Sequence, residues 1–191
     1  MADGYGGGLR ISDPQVMRAL AHPARIEIIE YLHTTGAAVT ATECARMVGL
    51  SPSATSYHLR ELAKYGLVEQ APSRGDGRER VWRGTGSGLE INADLSKPGA
   101  ADAARTLANL FLARDIARIR EWIERMPDEP EEWRETAAIL GQELLLTVDE
   151  LEALNAEVRA LVERYRERDR RLDPPPGVRR VHCNYLAFPT D

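Results

Sequence analysis

Cysteine is scarce in this chain: Cys44 and Cys183 are the two examples among 191 residues. They stand far apart and form no Cys-x-Cys or Cys-x-x-Cys pair, which excludes a disulfide framework and a cysteine-rich metal centre and leaves two free thiols. Long hydrophobic runs are missing as well. No stretch reaches the roughly 18 consecutive apolar residues of a membrane-spanning helix. Met1 to Ser12 is glycine-rich and polar, without the basic-then-apolar order of a secretory signal, so a cytoplasmic protein with a disordered tail over residues 1–12 is expected. Catalytic signatures are also lacking. There is no GxSxG elbow and no Walker loop, and Gly84-Thr85-Gly86-Ser87-Gly88 lies in a Gly/Ser-rich stretch rather than between a strand and a helix. The four histidines, His22, His33, His58 and His182, include no pair at the spacing of half a zinc site. His182 and Cys183 are adjacent and would face opposite sides of a strand. These absences predict no catalysis, no cofactor and no metal site.

What is present is a chain with enough apolar residues, 43%, for a packed core, and a net charge of −5 that is unevenly distributed. Residues 1–100 carry 11 basic and 11 acidic side chains against 14 and 19 in residues 101–191, so the acidic excess is entirely C-terminal. Between Arg46 and Arg83 the balance reverses to 7 basic and 4 acidic. A nucleic-acid-binding element needs such a local reversal.

The first half reads as a series of short helices. Asp13-Pro14 supplies an N-cap followed by proline at the first helical position, and that helix ends near Ala21. After His22-Pro23, the residues Ile26, Ile28, Ile29 and Leu32 mark a second helix that stops near Gly36. Thr40-Ala41-Thr42-Glu43 has the form of a capping box and opens a third helix, ended by Gly49. Ser51-Pro52 starts a fourth, which runs to Lys64 or Tyr65 before Gly66. So short an interval between the third and fourth helices is that of a helix-turn-helix. On the fourth helix Thr55, Leu59 and Leu62 share an inward face, leaving Ser53, Tyr57, Arg60 and Lys64 outward. Leu67 to Ala71 then reads as a strand, Arg74-Gly75-Asp76-Gly77 as a turn and Arg78 to Arg83 as the antiparallel return, which together make a wing with a basic tip.

Three stretches carry a resemblance: Ala19-Leu20-Ala21-His22-Pro23-Ala24-Arg25, Gly49-Leu50-Ser51-Pro52-Ser53-Ala54-Thr55-Ser56-Tyr57-His58-Leu59-Arg60-Glu61-Leu62, and Tyr65-Gly66-Leu67-Val68. In combination these resemble the ArsR-type winged helix-turn-helix regulators over about residues 13–85. The resemblance implies a homodimer that binds double-stranded DNA, usually a repressor released by an effector, here an organic molecule or a protein. Metal-sensing members resemble one another in a Cys-x-Cys pair near the third helix, where this chain has Cys44 alone. The candidate DNA contacts on the fourth helix are Ser51, Ser53, Ala54, Ser56, Tyr57, Arg60 and Lys64, with His58 as a phosphate donor. Arg74, Arg78 and Arg80 are the candidates on the wing.

Residues 86–99 are expected to link this domain, residues 13–85, to a dimerisation or effector region over residues 100–191. A long helix is predicted from Ala100 to Met126, with Leu112, Ile116, Ile119, Ile123 and Met126 forming one seam, and another from Thr147 to about Arg171, bearing Leu151, Leu154, Val158, Leu161 and Tyr165. Ala138 to Leu146 and Val178 to Phe188 are expected to be strands, parallel if neighbours. The fold class is thus mainly α with a small β component. Two other readings stand beside the regulator: a winged helix kept as a protein-interaction module without DNA binding, and an enzyme with a nucleic-acid-binding appendage.

Overall fold

The computed structural model of the chain describes residues 8–72, 79–171 and 173–190. Helix α1 spans Pro14–Leu20 and α2 spans Pro23–Thr35, with prolines at both starts. Asp13 caps α1 by accepting from the Gln15 N–H at 2.7 Å, a bond that holds its carboxyl below the usual range. His22 caps α2 through Nδ1, which accepts from the Ala24 N–H at 3.1 Å. Helix α3, Ala41–Val48, and helix α4, Pro52–Lys64, follow as the sequence predicts.

Among the described residues, five short strands accompany these helices. Strands β2 (Val39–Thr40), β3 (Val68–Ala71) and β4 (Val81–Gly84) form an antiparallel sheet in the order β2-β4-β3. Strands β1 (Leu9–Ile11) and β5 (Leu89–Ile91) pair in parallel, Leu9 opposite Leu89 and Ile11 opposite Ile91. This pair corrects two expectations. The end of the presumed tail is a strand whose Ile11 is buried, and the presumed linker contains that strand's partner. Three-residue strands carry too little pattern to stand out in sequence, and each is stabilised by the other's ladder rather than by its own propensity.

Helix α5 spans Ala100–Arg125, a 3-10 turn covers Met126–Asp128, and α6 (Glu131–Thr136), α7 (Val148–Glu163) and α8 (Glu167–Arg170) follow. The chain divides into two compact units. One holds residues 1–111 and 166–178, the other residues 112–165 and 179–191.

The first unit has a true core. Met17, Leu20, Ile26, Ile28, Ile29, Leu32, Leu59, Leu62, Leu67 and Leu107 are fully buried and form part of one cluster with Val68, Trp82 and Ala103. Each such aliphatic side chain contributes on the order of 1.5–3 kcal/mol on burial. Leu107 shows that the start of α5 is part of this core rather than of a separate C-terminal domain.

The second unit is built differently: none of its described residues is buried. The α5 seam is present but open, with Leu112, Ile116, Ile119 and Ile123 between 38% and 49% exposed. The Thr147-Glu150 capping box forms at the start of α7 as predicted. Helix α7 stops at Glu163 and a short α8 follows, where the sequence predicts one helix to about Arg171. The strands expected at Ala138 to Leu146 and Val178 to Phe188 do not form: both segments lack regular structure, and no backbone hydrogen bond among the described residues joins them. A strand exists only with a ladder partner, and within one chain neither segment finds one.

Candidate nucleic-acid interface

The turn between α3 and α4 is held by local chemistry. Thr40 and Glu43 satisfy each other's backbone N–H groups at the start of α3, at 3.2 Å and 2.7 Å. Gly49 ends that helix at φ 66°, a left-handed conformation that glycine adopts without a Cβ penalty. Two residues later the Ser51 Oγ accepts from the Ala54 N–H at 3.2 Å and starts α4.

Helix α4 then sorts its side chains by face. Thr55, Leu59 and Leu62 are fully buried, whereas Ser53, Tyr57, Arg60 and Lys64 are exposed, Tyr57 at 54%. Ser51 is exposed beside Ser53, their hydroxyls 3.1 Å apart, and Ala54 and Ser56 are half-buried at the flanks. Lys64 bonds Glu61 one turn back, which raises its pKa and offsets part of its positive field. Arg60 has no ion-pair partner among the described residues. The outward face therefore presents a hydroxyl, a phenol and a guanidinium, groups able to hydrogen-bond base edges or phosphates.

His58 departs from this pattern. Its ring is buried, 4.6 Å from the His22 ring between centroids and edge-on to Tyr57 at 5.5 Å. Burial, then the nearby His22 and Arg25, lower its pKa and favour the neutral ring. The expected phosphate donor is thus an inward residue, clasped against the start of α2. Spacing could have signalled this, because 55, 58, 59 and 62 make one continuous stripe at steps of three and four.

In the wing, Val68 lies opposite Gly84 and Glu69 opposite Arg83, and the latter pair forms a cross-strand salt bridge at 2.6 Å. Arg83 is therefore engaged with Glu69, while Arg80 is exposed at the entry to β4. Arg74 and Arg78 lie outside the described residues. Thus Ser53, Tyr57, Arg60 and Lys64 share one helix face and Arg80 stands on the wing, but His58 belongs to the core.

Among the described residues neither thiol belongs to a group suited to a metal. Cys44 is buried and its pKa is pushed up to about 11 by desolvation, whereas Cys183 is exposed. No cluster of three His, Cys, Asp or Glu side chains suited to a metal ion occurs among the described residues. No helix among them is long and apolar enough to cross a membrane.

Residues 20–71 match a family of helix-turn-helix domains. A putative arsenical resistance operon repressor of Halobacterium salinarum is 35% identical over 80 residues, a stretch covering 42% of this chain and 60% of that protein. Among solved structures, the homodimeric winged helix-turn-helix DNA-binding domain of a possible ArsR-family regulator from Mycobacterium bovis is 24% identical. It covers 53% of this chain and 76% of its own, with a TM-score of 0.34. A predicted DNA-binding transcriptional regulator from E. coli is 26% identical, covering 50% and 85%, with a TM-score of 0.31. Residues 20–71 of this chain thus match a helix-turn-helix domain, and an 80-residue stretch of the chain is similar to an arsenical resistance operon repressor.

Proposed function

We propose that this protein is a sequence-specific DNA-binding transcriptional regulator, a dimeric repressor released by an effector. The observation that carries the reading is the outward face of α4, where Ser53, Tyr57 and Arg60 are exposed on a rigid helix seated by Thr55, Leu59 and Leu62. A helix of this kind enters a major groove with its first turns towards the bases, while the wing lies along phosphates. Titration of sheared genomic DNA across a range of salt tests the reading. Binding that weakens steeply with salt is expected, and no binding at low salt would overturn it.

The wing arginines contribute through charge. Replacing Arg74, Arg78 and Arg80 by alanine is expected to lower affinity for all duplexes alike and to flatten the slope of log K against log salt by about 0.9 for each phosphate no longer neutralised. An unchanged slope in the triple variant would place the wing off the DNA.

The effector in this reading is an organic molecule or a protein rather than a thiophilic metal. Cys44 is buried with its proton held firmly, and soft metals need thiolates. Zinc, cadmium and arsenite are expected to leave the DNA complex intact. Release by any of them that disappears in the Cys44→Ser, Cys183→Ser double variant would overturn this assignment.

The dimer is assigned to the second unit. Among its described residues the second unit has none buried, and Leu112, Ile116, Ile119, Ile123 and Leu161 all stand exposed along its helices, an apolar face of the kind that marks an interaction surface. A second copy brings the same open seam and the same segments without a strand ladder, 138–146 and 178–188, which a two-fold arrangement can set against one another. A two-fold pair then matches two half-sites on the duplex.

A further inference from the structure

His33 sits in the last turn of α2, 1% exposed, and neither the helix nor the candidate interface requires a histidine there. Its ring lies between two carbonyl oxygens from distant parts of the chain. Nε2 is 3.0 Å from the Leu67 oxygen, at the root of β3, and Nδ1 is 3.3 Å from the Gly88 oxygen, at the root of β5. Those two strands belong to different sheets; a neutral ring, with a single N–H, donates to one of the two oxygens at a time, and the shorter contact is to Leu67 at the hairpin base.

The surroundings are built to receive it. Gly84 ends β4 against the ring: a Cβ there would overlap His33 Cδ2 and stand 3.1 Å from Nε2, so the absence of a side chain lets the hairpin base close onto the imidazole. Thr85 reinforces the same point, its hydroxyl within 2.7 Å of the Gly66 oxygen and 3.1 Å of the Leu67 oxygen. The Leu67 oxygen also receives the Thr85 N–H, and the Gly88 oxygen receives the Leu9 N–H at 2.9 Å. Both carbonyls thus have backbone donors without His33. The ring's distinct contribution is the link between the hairpin and α2.

We propose that His33 is the positioning residue of the wing, fixing the base of the β3–β4 hairpin against α2 and thereby setting the angle at which the wing's arginines reach a duplex. The second half of this statement rests on the proposed DNA-binding function; the first half does not. A hairpin of four-residue strands is weak alone, and its tip magnifies any rotation at its base. The wing's contribution to affinity therefore depends on a clamp at its root, remote from the charges that meet the phosphates.

The test compares His33→Leu, which keeps an apolar filler and removes both ring nitrogens, with His33→Gln, which restores a donor, and with Gly84→Ala, which pushes the hairpin off an intact ring. Amide hydrogen exchange of the free proteins is read first. In His33→Leu and Gly84→Ala, exchange at 68–71 and 81–84 is expected to accelerate about tenfold or more relative to α3 and α4, with partial recovery in His33→Gln. Binding to sheared genomic DNA is read second. The two loosened variants should show a flatter salt slope, by about 0.9 for each phosphate the wing fails to reach, and His33→Gln should regain part of it. Unchanged exchange in the hairpin, or acceleration spread evenly over α3 and α4, would overturn the proposal and make His33 an ordinary core residue. If His33→Leu does not fold, Gly84→Ala decides by the same criteria. If the wild-type protein binds no DNA, the functional reading fails, while exchange still decides whether His33 clamps the wing.

Discussion

Replacing Ile116 and Ile123 together by glutamate in the full-length protein is expected to give a folded monomer that has lost most of its affinity for a specific two-half-site duplex. Both side chains are nearly half exposed on α5, at 46% and 49%, so the substitutions remove little from the fold of a single chain. In a two-fold dimer built on that seam, they place four carboxylates in a desolvated interface. Covering the exposed half of three such side chains per protomer would stabilise a dimer by about 4–9 kcal/mol, at roughly 1.5–3 kcal/mol per fully buried side chain, a sizeable part of an association cost of about 4–15 kcal/mol. Without that burial the monomer is favoured. Two linked winged helices exceed the affinity of one by roughly 10²–10⁴, and a loss in that range is expected although every DNA-facing side chain is retained. Sedimentation of both proteins and titration of one operator check this. A variant that still dimerises and binds as tightly would place the interface in the first unit.

Arg60→Ala and Tyr57→Ala are expected to weaken binding to the operator more than binding to random duplex, each by about 1–3 kcal/mol, the usual worth of a direct base contact. Tyr57 is 54% exposed and Arg60 has no ion-pair partner among the described residues, so truncating either removes little packing from the free protein. The loss is then a loss of recognition. Competition of operator against sheared DNA separates the alternatives. Equal losses on both would assign the two side chains to phosphates and leave the reading of sequence to other residues.

The winged helix was legible in the amino-acid sequence because its determinants are local. Asp13-Pro14, the Thr40-Glu43 capping box, Gly49 and Ser51-Pro52 act within three or four residues of themselves, and each helix start they mark is found in the structure. The outward and inward faces of α4 follow from helical periodicity, which is equally local. Tertiary structure decided the features that depend on residues distant in sequence. Strands β1 and β5 exist because they meet each other, and Leu107 joins a core formed mainly by residues before Gly84, so a boundary near residue 85 reads as a domain edge only in one dimension. His58 carries a polar ring suited to a phosphate, yet packing turns it against His22. The segments 138–146 and 178–188 have the composition of strands and no ladder in one chain, because a strand's backbone must be satisfied by a neighbour that its own sequence does not contain.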